Sequence, residues 1–110
     1  MECIFCRIVQ KQLPAEIYYE DEDWMAIKDI QPQAPYHLLF ISKQHIADYA
    51  ALDTAQLGIL TSLHHAVSEV ATQLQLTSYR LICNNGAAAG QSVAHLHWHL
   101  VSGMNPEHLC

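Results

Sequence analysis

The chain has 110 residues, with 5 Lys and Arg against 11 Asp and Glu, a formal charge of −6, and 8 His. That length suits one domain with one hydrophobic core, and 51% hydrophobic residues with only 4 Gly and 4 Pro exclude wholesale disorder. The charge argues against a nucleic-acid binder, which needs clustered Lys and Arg, so an anionic ligand must be held by backbone N–H groups, histidine or metal.

The first residues, Met1-Glu2-Cys3, are acidic and lack the basic and apolar parts of a signal peptide. No apolar run approaches the ~18–20 residues of a membrane span, so a cytoplasmic chain without a membrane partner is expected. In that compartment Cys3, Cys6, Cys83 and Cys110 are expected as thiols or metal ligands rather than disulfides. Ile4 to Val9 has apolar residues at helical spacing and predicts a short helix ended by Pro14. Ile17–Glu20 and Trp24–Lys28 read as two strands joined through Glu20-Asp21-Glu22-Asp23, a solvated hairpin turn rather than a metal site. Gln31-Pro32-Gln33-Ala34-Pro35 is a loop, and His37–Ile41 a compact apolar strand.

Leu57, Leu60, Leu63, Val67, Val70 and Leu74 recur at three and four, and Asp53 with Gln56 resembles a capping box. A long amphipathic helix over about residues 54–75 follows. His64 and His65 within it are expected at the surface, as is His108. Cys83 is expected as a buried thiol and Cys110 as a frayed end. Tyr79–Cys83 reads as a strand, Asn84–Gly90 as a loop, and His95–Val101 as a strictly alternating strand. The order β-β-β-α-β-β predicts an α+β fold: a mainly antiparallel sheet with helices on one face.

His95, His97 and His99 stand at i, i+2 and i+4, which on a strand puts them on one face with Leu96, Trp98 and Leu100 on the other. Eight histidines spread by chance would give roughly 0.04 such triplets, so coincidence is a weak explanation. A plain polar face is the bland reading, and a His-x-His metal pair the sharper one. The upstream stretch, Asn84 to Ala94, is a glycine-containing loop able to turn backbone N–H groups to an anion, with Ser92 adding a hydroxyl. No Gly-Lys-Ser/Thr follows, so it is not a Walker loop. Together the loop and the histidines describe a phosphate site with a nucleophile beside it.

The stretch Gly90-Gln91-Ser92-Val93-Ala94-His95-Leu96-His97-Trp98-His99-Leu100-Val101 resembles the signature of the histidine-triad (HIT) family, His-φ-His-φ-His-φ-φ with φ apolar. Asp29 to Ile46 and Cys3 to Val9 agree, so the resemblance runs to about Gly103. It is nearest the Hint branch, the nucleoside phosphoramidases. The resemblance implies a homodimer in which a five-stranded antiparallel sheet, with one long and one short helix, is extended across the interface. It also implies a purine nucleotide substrate, such as an AMP or GMP conjugate, attacked at its α-phosphate. By position His97 is then the nucleophile, forming a nucleotidyl-histidine that water hydrolyses. His99 contacts the phosphate and helps protonate the leaving group, and His37 supports the triad. Ser92, with the backbone of Gly90 and Gln91, binds phosphoryl oxygens. Asp29 accepts the ribose hydroxyls, Asn84 holds the phosphate end, and Ile4, Phe5, Ile27 and Ile30 form the slot for the base. For those four a plain core role reads nearly as well.

Cys3-x-x-Cys6 alone is half a metal site. The same resemblance, to bacterial members with this amino-terminal pair, implies one structural zinc per subunit held by Cys3, Cys6, His45 and His95. Cys3 and Cys6 as small apolar residues of a helix is the alternative. The chain departs from the Hint pattern at Ala94, at Trp98 and in its short segment after Val101, which bears on leaving-group preference. Three other functions compete: a nucleotide-binding or adaptor module with vestigial catalysis, a dinucleoside polyphosphate hydrolase, and a metal-dependent hydrolase using the triad as ligands.

Overall fold

A computed structural model describes residues 3–103, so Met1, His108 and Cys110 lie outside the described residues. Helix α1 spans Ile4–Val9, strands β1 to β3 span Ile17–Glu20, Trp24–Lys28 and Tyr36–Ser42, helix α2 spans Gly58–Gln73, and β4 and β5 span Arg80–Ile82 and His97–Ser102. The strands form one antiparallel sheet in the order β1-β2-β3-β5-β4. Among the described residues no helix is long and apolar enough to cross a membrane.

The acidic run makes the β1–β2 hairpin. Asp21 Oδ1 accepts from the N–H groups of Asp23 and Trp24, each at 2.7 Å, and Asp21 N–H donates to the Trp24 carbonyl. The turn therefore uses its carboxylate on backbone donors. Helix α1 stops at Val9, earlier than Pro14 requires, because the chain turns left-handed at Lys11 with φ +64°. Likewise α2 begins at Gly58, later than the apolar periodicity predicts. The Asp53–Gln56 capping box is present, but it closes a separate 3₁₀ turn at Thr54–Gln56. Leu57 is left 45% exposed, whereas Leu63, Val67 and Val70 are buried. His64 and His65 are exposed, as expected. Cys83 is half-buried, and burial pushes its thiol up to about 11.

The expectation of both helices on one face is corrected. Strand alternation sends Trp24, Ala26, Leu38, Phe40 and Leu100 to one side, where α2 packs Leu63, Ala66, Val67 and Val70 against them. Met25, Ile27, Leu39 and Ile41 point to the other side and pack with Phe5 of α1. The periodicity of each helix shows that it has an apolar face, but not which side of the sheet receives it. The α2 side is the larger core, and Trp24 is tied to it by a hydrogen bond from Nε1 to the Ile59 carbonyl at 2.8 Å. The α1 side carries His97 and His99.

Candidate active site and metal centre

His97 and His99 lie on β5 opposite Ile41 and Leu39 of β3. His95 does not continue the strand, contrary to the sequence expectation. It stands two residues before β5 and is fully buried. The Leu96 N–H bonds to the Ile46 carbonyl at 2.6 Å, and Ser42 N–H to the Leu96 carbonyl at 3.2 Å, which anchors this approach segment.

The rings of His97 and His95 are each fixed by a backbone partner, and the partner's polarity assigns the proton. His97 Nδ1 lies 2.7 Å from the His95 carbonyl oxygen. A carbonyl only accepts, so Nδ1 carries a proton, and in the neutral ring Nε2 carries the lone pair. Phe5 packs edge-on to the same ring, centroids 5.0 Å apart, and the His99 ring stands 5.2 Å away. His95 Nε2 lies 2.7 Å from the Ser42 carbonyl oxygen, so its lone pair is on Nδ1. Burial lowers the His95 pKa and favours the neutral ring.

That Nδ1 meets three other donors. It is 3.2 Å from Cys3 Sγ, 3.6 Å from Cys6 Sγ and 3.1 Å from His45 Nδ1, and Cys6 Sγ is 3.2 Å from His45 Nδ1. A tetrahedral zinc places such ligand atoms about 3.3–3.8 Å apart. Cys3, Cys6, His45 and His95 therefore could hold zinc with little movement. Their donor set leaves no open position, and the Ser42 carbonyl supplies the outer hydrogen bond that a metal-binding imidazole needs.

A second set of possible ligands behaves differently. Asp29, His37 and His99 place a carboxylate and two ring nitrogens within 4.8 Å of one another. By composition this could be a metal site. However, His37 Nδ1 accepts a hydrogen bond from the Gln33 N–H at 3.0 Å, so Nε2 carries the proton. That proton faces His99 Nδ1 at 2.9 Å and Asp29 Oδ2 at 3.3 Å. A metal on Nε2 would push the proton to Nδ1, donor against donor. The set is built for a proton. Because His99 Nδ1 accepts, its Nε2 is the N–H side. Burial is the main reason that the His99 pKa falls to about 4, with His97 and His37 adding to it. His99 is thus a neutral donor at neutral pH.

Two cavities flank these residues. One, of about 280 Å³, is lined by Glu16, Lys28, Asp29, Ile30 and Pro32. The other, of about 220 Å³, is lined by Gln33, His37, Ile82, Asn84, His99 and Val101. The four residues of the expected base slot divide. Phe5 and Ile27 are core, at 7% and 4% exposure, whereas Ile4 and Ile30 are exposed at 48% and 93%. Ser92 is exposed. Gly90, at φ +103°, turns the chain so that Asn84 lies beside it; a Cβ there would sit 3.7 Å from Asn84 Nδ2.

Gln91 is buried and its side chain is spent inward. Its Oε1 accepts from Gly86 N–H at 2.7 Å, and its Nε2 donates to the carbonyls of Ala47 and Val93 at 2.8 and 2.9 Å. It fastens the loop, so any ligand contact from position 91 falls to the backbone. Sequence reasoning missed the backbone groups of Gln33 and Ser42, since no residue type announces where a main-chain N–H or carbonyl will point.

Residues 2–109 match the family described as scavenger mRNA decapping enzyme C-term binding. The chain is 42% identical over 103 residues to an uncharacterized HIT-like protein of Synechococcus elongatus, covering 93% of this chain and 90% of that protein. Its fold is similar to a HIT family hydrolase from Clostridium thermocellum, with 48% identity, a TM-score of 0.92, and 98% and 97% of the two chains covered. It is also similar to a histidine triad protein from Clostridium difficile, with 32% identity, a TM-score of 0.93, and 100% and 97% covered.

Proposed function

The chain belongs to the histidine-triad family, and on that premise we propose that it hydrolyses or transfers purine nucleoside phosphoramidates, or related nucleotide conjugates, through a nucleotidyl-histidine on His97. The observation that carries this reading is the His97 Nδ1–H bond to the His95 carbonyl. In the neutral ring it puts the lone pair on Nε2, a nucleophile that needs no separate base. The HIT family hydrolase among the similar structures supports a hydrolase-type enzyme.

His97 Nε2 attacks the α-phosphorus, the phosphorus–leaving-group bond breaks, and the nucleotide is held on the ring until water displaces it. His99 donates its Nε2–H to a phosphoryl oxygen. An anionic phosphate at that nitrogen offsets the burial that disfavours its charged form, and so lets His99 carry a proton to the departing amine. Ser92 and the backbone of the Gly90–Ser92 turn supply further donors, with Asn84 at the phosphate end. The ribose hydroxyls fall to Asp29, and the base lies against Ile4 and Ile30 over the Phe5 and Ile27 floor.

The Cys3, Cys6, His45 and His95 set would hold one structural zinc. Bound there, zinc supplies a fixed cross-link between the amino-terminal segment and the residue whose carbonyl orients His97. A homodimer joined through β4 is the assembly we favour. That strand is a sheet edge, with its Leu81 45% exposed and Tyr79 just before it 39% exposed.

The test is His97→Asn with adenosine 5′-phosphoramidate. Turnover should fall by about 10⁴-fold or more, while AMP still binds in calorimetry. Wild-type turnover by the variant would remove His97 from the chemistry. AMP binding by the wild type without hydrolysis of any nucleotide conjugate would leave a binding module instead.

A further inference from the structure

The proton on His37 Nε2 has two acceptors. His99 Nδ1 is the nearer, at 2.9 Å, and Asp29 Oδ2 is the other, at 3.3 Å. The Gln33 N–H fixes the proton on that nitrogen, since it occupies Nδ1. Asp29 Oδ1 is engaged separately, accepting from Gln31 N–H at 2.8 Å. One oxygen of Asp29 thus builds its own turn, and the other competes with His99 for a single proton.

We propose that His37 couples sugar recognition to phosphoryl chemistry: ribose hydroxyls donating to Asp29 Oδ2 release the His37 proton wholly to His99 Nδ1. This rests on the assignment of Asp29 to the ribose. A carboxylate oxygen that has accepted two hydroxyl protons is a poorer acceptor for a third. The His37 N–H then tightens on His99, fixing the proton of His99 on Nε2 and aiming it at the phosphate. In the sugar-free protein the shared proton leaves the His99 ring less firmly oriented. His37 is therefore a positioning residue that acts through His99, and the ribose contributes to the rate as well as to affinity.

The measurement is single-turnover nucleotidyl transfer at saturating substrate, which isolates the chemical step, with substrate affinity determined in parallel. Adenosine 5′-phosphoramidate is compared with its 2′,3′-dideoxy analogue. In the wild type the dideoxy compound should bind more weakly and also react about tenfold more slowly, a fraction of a full general-acid effect. In Asp29→Asn the carboxamide keeps an acceptor for Gln31 but can no longer draw the His37 proton. The two substrates should then react within about twofold of each other. If the wild-type dideoxy compound loses affinity alone, the coupling is wrong while Asp29 still binds the ribose. If neither affinity nor rate changes, the ribose assignment fails and the coupling with it. A readout that needs no turnover is the ¹⁵N spectrum of the histidine rings at pH 7. Expected are protons on His37 Nε2 and His99 Nε2; a proton on His37 Nδ1 overturns the proposal.

Discussion

His95 and His37 are both buried histidines beside other metal-capable side chains, yet their rings are anchored in opposite senses. The Ser42 carbonyl takes the Nε2 proton of His95 and leaves a lone pair facing Cys3, Cys6 and His45. The Gln33 N–H takes the Nδ1 lone pair of His37 and leaves a proton facing His99 and Asp29. Ligand type and spacing alone would give two metal sites. The polarity of one backbone group behind each ring separates a set suited to a metal from a set suited to a proton. A histidine is therefore read from its far nitrogen as much as from the near one.

The largest effect that could break this contrast is on metal content. Protein purified without chelator should carry one zinc per chain, and Cys6→Ser should carry none. Loss of the metal should lower the melting temperature by roughly 10 °C or more, as removal of a tightly bound ligand does in a small domain. Asp29→Asn should still carry one. Two equivalents in the wild type, or a loss with Asp29→Asn, would collapse the distinction.

A smaller effect sharpens the proton side. His37→Ala should slow nucleotidyl transfer by about 10–100-fold, and His37→Gln should recover part of it, since its carboxamide can still donate toward His99. Equal rates for the two variants would mean that bulk, not a donor, is what matters at position 37.

Next comes pH. Burial holds His99 near 4, below the 6.5 of an exposed ring. Between those values the unfolded chain binds a proton that the folded one refuses. Stability is thus fully present above about pH 6.5 and falls as pH drops toward 4. Thermal melts of wild type and His99→Asn across that window should show the wild type losing more. Parallel curves would remove His99 as the cause. The smallest effect serves as a yardstick at a residue that belongs to neither cluster. Asp53→Ala removes the cap of the Thr54–Gln56 turn and should cost about 1 kcal/mol or less by urea denaturation, with zinc content unchanged.

Much of the fold was legible because it rests on local periodicity. The hairpin at Asp21 follows from its acidic turn residues, and the apolar β3 and the Leu63, Val67 and Val70 part of the α2 stripe follow from spacing that burial reproduces. The helix faces were not legible, because packing α1 and α2 on opposite sides depends on which strand residues point where after pairing. In the site, the triad and the Cys3–Cys6 pair were visible as side-chain types. The exit of His95 from the strand was not visible, nor was the inward turn of Gln91. Both are set by main-chain hydrogen bonds between segments distant in sequence, such as Leu96 to Ile46 and Gln91 to Ala47. Similarly, Phe5 and Ile30 look alike as apolar residues, but helix packing buries one in the core and the loop path leaves the other on open surface.

Strand β3 links these observations. His37 near its start and Ser42 at its end are five residues apart, a span of about 17 Å in extended chain. The strand thus serves as a ruler with the proton chain at one end and the carbonyl behind the metal set at the other. Pairing to both β2 and β5 sets its position on each side. A slip of one residue would turn His37 to the α2 side and carry the Ser42 carbonyl away from His95 in the same movement. The two clusters are therefore aligned by a single register, and a chain that pairs β3 correctly assembles both at once.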